Sequence, residues 1–471
     1  MGGIGLLLAG ACATGGCATN DGWKPPTARD IRDVPAELRP GFGNVELHTW
    51  WPLTETEASA LRGVPLARQG DAHALLALAL VASGDHRDVA SHAAYQQRVD
   101  QFLAGTRPAF DAAADDWHRG YELHRAMHKS FFAKDSTDLG GYDFYQARVT
   151  GIFTGGHYNC LSSAMLFAVL ARGFGLPVRA ALVPTHVFIE MGPPGGKIIE
   201  IETTSDTGFD WIHDERFYKE ESSNWSSKRG LRPVTLDDYQ HRKILEPYQL
   251  MAHAMFGGRK GESDQDRYHL AELAAAVDPD DPEIQKVRVQ LYAMEGHDLF
   301  EMKASRTMVR LFDTVRPAVS EIGAKSKDPS TLELVSWANW YHASALMVVG
   351  RQDEAIAIMA ENIERVDPGW EDASKLKNNY INVLTNRLGE LIDRKDYPAA
   401  VATFGKYRDL CKAQDICAGN AGIVYSNWSL DHQRAGDWQS ARKVLQDCVG
   451  ELPGNSHCRD ALADLESRHR F

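Results

Sequence analysis

Positive charge is the first thing this 471-residue sequence lacks. Its 51 Lys and Arg stand against 64 Asp and Glu, a formal net charge of −13. A protein that binds nucleic acid without regard to sequence needs a basic surface to release counterions, so that class is excluded. Long apolar runs are scarce too. The N-terminal run Ile4–Ala11 is too short to span a membrane, and no other stretch is apolar enough to try. Cysteines number only seven, and none is spaced as the paired CxxC knuckles of a structural zinc site. What remains is a globular composition, 44% hydrophobic and 24% charged, in a chain long enough for two or three domains.

The first residues run from Ile4–Ala11 into small residues and two cysteines, Cys12 and Cys17. An apolar run followed by small residues is the pattern of an export signal. Ala9-Gly10-Ala11-Cys12 and Thr14-Gly15-Gly16-Cys17 both resemble a bacterial lipoprotein processing site, where the thiol receives lipid. No Lys or Arg precedes the run, and the first basic residue is Lys24, as expected if the true start lies upstream. The expectation is an exported protein, periplasmic or lipid-anchored in a bacterial envelope, with no transmembrane helix. Cys411, Cys417, Cys448 and Cys458 then form a cluster able to make two disulfides, with three connectivities open.

Five stretches follow from local pattern. Residues 1–19 are the signal or lipoprotein segment, and 20–53 a tether without periodicity. Residues 54–133 read as helices: Ala72 to Val81 is one, and a second long pattern runs from Tyr95 to Phe132, with Leu123, Met127 and Phe131 on one face. Residues 134–247 change to an α+β pattern. A helix over Cys160–Phe174 ends at Gly175 and Pro177, and strands follow at Val178–Val183, Val187–Met191 and Ile198–Glu202.

Residues 248–471 read as all-helical. Gly350-Arg351-Gln352-Asp353-Glu354-Ala355, Lys395-Asp396-Tyr397-Pro398-Ala399-Ala400 and Gly436-Asp437-Trp438-Gln439-Ser440-Ala441 share a turn followed by a small residue in the next helix. Pro368 and Pro453 close two of these units, and Val277-Asp278-Pro279 ends a weaker one. The pattern resembles tetratricopeptide repeats, at a spacing longer than the usual period of about 34 residues. Such hairpins bury their apolar faces only against neighbours, which implies a short solenoid that holds a protein or peptide partner.

Three residues carry candidate chemistry. Cys160 opens a helix, where free N–H groups and the helix dipole favour a thiolate and its own N–H can donate to an oxyanion. His186 starts a strand and can take the thiol proton. Glu202 ends the next strand and can hold the imidazole in place. Glu200 shares its face by strand alternation and is a rival for the acid role. A second oxyanion donor is not identified; Gln146 and Tyr158 remain open.

Read together, GIFTGGHYNCLSSAMLFAVLARGFGLPVRAALVPTHVFIEM and IIEIETT, within residues 151–204, resemble the bacterial transglutaminase-like core. The order Cys, His, acid and the "Gly-Leu-Pro-Val" after the helix match, and Thr203 after the acid favours Glu202 over Glu200. The acid is Glu where Asp is usual. "Asn-Cys-Leu-Ser" and "Val-Pro-Thr-His" are most similar to the subgroup that carries C-terminal tetratricopeptide repeats. The resemblance implies a papain-like core preceded by helices and followed by the solenoid. It also implies a hydrolase or acyltransferase that cuts amide bonds through a thioester on Cys160, with no cofactor and no metal. The contrasting expectation is an idle envelope scaffold that binds proteins through its repeats, with Cys160 as a small buried hydrophobe.

Weaker signals have plainer readings. His124 and His128 lie one helical turn apart, without the Glu of His-Glu-x-x-His, and read as an ordinary amphipathic face. His157 reads as a rim residue. A calcium loop from Asp135 to Gln146 lacks its ligands at Leu139 and at Gln146. Trp211, His213 and Asp214 read as a packed loop, and Gly257–Gly261 does not fit a phosphate loop. Trp337, Trp340, Trp428 and Trp438 read as repeat core.

Overall fold

The protein's structure, a computed structural model, describes residues 53–84, 89–133, 141–192, 196–211, 232–256, 264–363, 365–370, 373–407, 415–469 and 471. Several expectations lie outside these residues: the export segment with Cys12 and Cys17, the tether over 20–52, the start of the calcium loop, His213 and Asp214, Gly257–Gly261, Cys411, and the side chain of Cys417. The chain divides into two compact units, Met1–Arg288 and Val289–Phe471.

In the first unit, α1 (Glu55–Arg62), α2 (Val64–Arg68), α3 (Ala72–Ala82), α4 (Val89–Ala112), α5 (Asp116–Phe131) and α6 (Val149–Gly155) precede α7 (Cys160–Gly173). The single long pattern expected from Tyr95 to Phe132 is two helices. Asp115 accepts the His118 N–H and caps a new helix, which breaks the run. Leu123, Met127 and Phe131 are buried on its inner face. Helix α7 is the centre of this unit. Every residue from Ser162 to Ala171 is buried, and α3, α5 and α6 pack around it. A helix apolar on all sides can only be stable in such a position. Gly175 closes it at φ +77°, a conformation that costs glycine nothing.

Three strands follow, β1 (Val178–Val183), β2 (His186–Met191) and β3 (Ile199–Ile201), then α8 (Leu236–Gln240) and β4 (Lys243–Leu245). All pairings are antiparallel and the order is β3-β2-β1-β4. Strand β4 was not expected from the sequence, since three residues are too few for a periodic signal. Alternation sends Val178, Ala180, Val187, Ile189 and Met191 to the face packed on α7. It sends Ala181, Val183 and Phe188 to the other face, under Val234, Leu236 and Tyr239. The first unit extends past 247, because α9 (Pro247–Met255) packs on α3, α7 and β1, and α10 (Asp264–Val277) packs on α9. Next comes α11 (Pro282–Glu301).

The second unit is helical: α12 (Ser305–Lys325), α13 (Pro329–Val348), α14 (Gln352–Ile363), α15 (Ala373–Asp393), α16 (Tyr397–Lys406), α17 (Asp415–Arg434), α18 (Trp438–Glu451) and α19 (Ser456–Arg468). From α12 to α16, and again from α17 to α19, each helix packs on the next. The three turn signatures share one construction. Gly350, Lys395 and Gly436 take positive φ, and Ala355, Ala400 and Ala441 are fully buried in the helix that follows. Cys448 is bonded to Cys458, which joins α18 to α19. Trp337 and Trp340 pack against the core formed by Val366, Ala373 and Leu376, whereas Trp438 departs from expectation. Trp337, Trp340 and Trp428 are half-buried, and Trp438 is exposed, stacked on His469. The two-helix edge at α18 and α19 offers too little surface to cover so large a ring.

The described chain is thus mostly helical with one small antiparallel sheet, an α+β arrangement, and no described helix is long and apolar enough to cross a membrane.

Candidate active site

Cys160 is the first residue of α7, and Asn159 caps that helix. Asn159 Oδ1 accepts the N–H groups of Leu161 and Ser162, both at 3.0 Å, and the Ser162 hydroxyl accepts the Asn159 N–H at 2.9 Å. Asn159 Nδ2 donates to the Phe144 carbonyl and Ser162 Oγ to that of Gln146, so loop 143–146 is tied to the helix start. The cap consumes the second and third N–H groups. That of Cys160 has no acceptor among the described residues and stays available to an oxyanion. Cys160 itself is half-buried, not sealed.

His186 reaches this point from the β1–β2 hairpin. The hairpin turns on Pro184 and Thr185, with Val183 paired to His186. Thr185 takes φ +68°, where hairpin turns ordinarily carry Gly or Asn, and its hydroxyl is buried without a partner. The His186 Nε2 lies 2.6 Å from Glu202 Oε2, which leaves Nδ1 free for the nearby Cys160 thiol, close enough to act on the charge of the ring. The other carboxylate oxygen accepts the Thr204 N–H at 3.1 Å and the Thr204 hydroxyl at 2.6 Å. Burial opposes charge on both partners. Even so, the Glu202 charge, the bond to Glu202 and the nearby Cys160 thiol hold His186 well above its ordinary value. The imidazolium and the two Thr204 bonds hold Glu202 down, to about 2. Histidine and acid are therefore hydrogen-bonded, with the cysteine beside the imidazole.

Glu200, the rival acid, is taken elsewhere. Its carboxylate accepts the Tyr239 hydroxyl and lies 3.8 Å from Arg242, whose guanidinium also bonds the buried Glu190 at 2.7 Å. The two acids share a sheet face, as alternation requires, but Glu202 is the one beyond the strand end, beside His186. The Gln146 carboxamide lies against Gly151, and Tyr158 Oη donates to the Thr204 carbonyl at 3.2 Å. His157 is exposed, in keeping with a rim position. Trp211 is half-buried, and its main-chain N–H donates to the Glu200 carbonyl.

His124 and His128 are more than an amphipathic face. Both project from α5 into the interior, with ring centroids 4.6 Å apart, and His124 is wholly buried. His124 lies edge-on to Phe167 and beside Phe209, and His128 stands edge-on to Phe132 and Tyr158. Neither ring nitrogen of His124, nor Nε2 of His128, has a hydrogen-bond partner among the described residues. Burial, with the neighbouring His128, lowers His124 to about 3, and burial lowers His128 to about 4, so both are neutral at physiological pH. The sequence held a signal for this, two histidines one turn apart beside buried Leu123 and Met127, but not what they would face.

A second cluster, His253, Asp281 and Glu283, brings three ligand-type atoms within 4.8 Å of one another. Lys243 Nζ sits among them, 2.8 Å from Asp281, 2.9 Å from Glu283 and 3.3 Å from His253. The ammonium supplies the positive charge these carboxylates need, so the cluster is an internal ion network tying β4 to the start of α11. No protein-family model matches the chain, and no curated protein matches it either.

Proposed function

We propose that this chain is a transglutaminase-like cysteine hydrolase or acyltransferase acting on amide bonds of a protein or peptide. The observation that carries the reading is the 2.6 Å imidazole–carboxylate contact of His186 and Glu202, set beside Cys160 at the start of α7. In this chemistry the Cys160 sulfur attacks an amide carbonyl, and the oxyanion formed is stabilised by the Cys160 N–H at the helix start. His186, held protonated by Glu202, gives its proton to the leaving amine, and a thioester remains on Cys160. Water then releases an acid, or a second amine takes the acyl group. The half-exposed thiol supports an enzyme over an idle scaffold, because a relic cysteine at a helix start has no need of access.

The helices after Val289, with a buried alanine following each of three left-handed turns, support a tetratricopeptide-type solenoid that binds the partner or substrate protein. The Cys448–Cys458 disulfide supports an oxidising compartment, in keeping with export and lipid anchoring.

The test is direct. The full-length protein is incubated with a glutamine-rich protein and a labelled primary amine. Ammonia release that needs Cys160 marks attack on the amide, and covalent labelling separates transfer from hydrolysis. Neither product, together with a Cys160 no more reactive to iodoacetamide than in His186→Ala, would favour the scaffold.

A further inference from the structure

Two carboxylates stand directly opposite one another on the sheet. Glu190 on β2 and Glu200 on β3 are paired in register, on the face turned away from α7. Glu190 is buried and Glu200 largely so. Like charges so placed weaken a strand pair, the more so out of water. Arg242, between α8 and β4, contacts both. Its Nε donates to Glu190 Oε1 at 2.7 Å, and its Nη2 lies 3.8 Å from Glu200 Oε1. Glu190 Oε2 accepts from Arg179 at 3.3 Å, and Glu200 accepts the Tyr239 hydroxyl. The guanidinium is itself held: Nη1 donates to the Tyr239 carbonyl at 3.0 Å, and the group lies 4.4 Å from the centre of the Tyr239 ring. The order β3-β2-β1-β4 sets β4 and β3 at opposite ends of the sheet, so a residue adjoining one of them ties down the other.

Strand β3 is only three residues long, and alternation does not fix its register. A slip of one residue would turn Ile199 and Ile201 out of the core. A slip of two would keep both inward and carry Glu200 to the place that Glu202 occupies, because the acids are two residues apart.

We infer that Arg242 is a positioning residue: it holds Glu200 opposite Glu190, fixes the register of β3, and so leaves Glu202 as the acid beside His186. This rests on the proposed Cys160–His186–Glu202 reading. Buried ion pairs add little cohesion compared with apolar residues of the same volume; what they add is a penalty on any arrangement that separates them. A two-residue slip would move Glu200 by about 7 Å, out of reach of both Tyr239 and Arg242. It would also leave Glu190 opposite Ile198. The native register is the one in which both carboxylates meet the guanidinium.

The test compares Arg242→Gln, Glu200→Gln and the double variant in the full-length protein. The readouts are amide hydrogen exchange across Ile199–Ile201 and the rate of Cys160 alkylation by iodoacetamide against pH. Arg242→Gln should raise exchange in β3 and slow alkylation at mildly acidic pH roughly fivefold. Glu200→Gln alone should change neither, since Gln still accepts the Tyr239 hydroxyl and no longer repels Glu190. The double variant should regain most of both, which a residue needed only for folding would not show. Alkylation unchanged in Arg242→Gln, while Glu202→Gln slows it, overturns the inference, as does a double variant no better than the single one. Should Arg242→Gln not fold, the double variant decides: exchange and alkylation near wild type support the inference, and failure to fold overturns it. Alkylation indifferent to Glu202→Gln sinks the catalytic reading instead. Exchange then decides the positioning alone: raised in Arg242→Gln and restored in the double variant supports it, and unchanged overturns it.

Discussion

His186 Nε2 and Glu202 Oε2 lie 2.6 Å apart across the end of a short antiparallel sheet, and the acid's other oxygen is fixed by Thr204. A carboxylate gripped at both oxygens cannot swing, so it fixes one ring orientation and sends the second imidazole nitrogen to Cys160.

This geometry separates the two acids. Glu202→Gln is expected to slow Cys160 alkylation at mildly acidic pH by about tenfold or more, and His186→Ala by at least as much. Glu200→Gln should leave the rate unchanged, because Glu200 is committed to Tyr239 and Arg242. Pseudo-first-order alkylation of the three variants, read by mass spectrometry, checks the set; equal loss in Glu200→Gln would return that residue to candidacy.

Stability should fall with pH in a defined window. His124 and His128 sit near about 3 and about 4 when folded, against about 6.5 when unfolded, so the unfolded chain binds more protons between these values. Their contribution is complete above about 6.5 and is lost as the pH falls toward 4, on the order of 1–2 kcal/mol each by pH 5. His342, buried in the second unit and lowered to about 4, behaves alike. His186, raised when folded, works in the opposite direction: its contribution is full below about 6.5 and is lost as the pH rises. Urea unfolding at neutral and at acidic pH measures the slope, which should flatten for the first unit in the His124→Leu/His128→Leu double variant.

Thr185 at φ +68° places a β-branched side chain in a conformation that costs roughly 1–2 kcal/mol, with a buried hydroxyl left unpaired. Thr185→Gly should raise the unfolding midpoint by about 1 kcal/mol of stability. The same change should slow Cys160 alkylation, as a looser hairpin aims His186 less well. A protein no more stable than wild type would mean that the turn carries no strain.

Closing a short loop, the disulfide between Cys448 and Cys458 spans a sequence separation of 10 residues. Reduction, or Cys448→Ser, is expected to remove about 2–3 kcal/mol from the end of the second unit. Hydrogen exchange should rise first in α18 and α19. No change under reductant would show that these helices hold together by packing alone.

Much of this was legible in the amino-acid order. The small, apolar positions of Cys160–Phe174, the breakers Gly175 and Pro177, and the Gly350, Lys395 and Gly436 turns are local signals, and each marks an element boundary within a residue or two. Where local signals failed, a competing local interaction had prevailed. Asp115 capped a helix in the middle of an apolar pattern, and β4 formed because β1 offered an edge, not because Lys243–Leu245 asks for a strand.

Residue order alone determined which groups are available: a thiol at a helix start, an imidazole after a Pro-Thr turn, and two acids two residues apart at the end of a hairpin. Period and punctuation are enough for that, since both are set by neighbours along the chain. Only the tertiary structure decided between the acids and gave the histidines of α5 their neighbours. Tyr239 and Arg242 come from more than thirty residues beyond Glu200, and His124 comes from more than seventy residues before the Phe209 it lies beside. A pattern read along the chain carries no information about such meetings, because they are set by how α5, the sheet and the segment after it close around the buried helix α7.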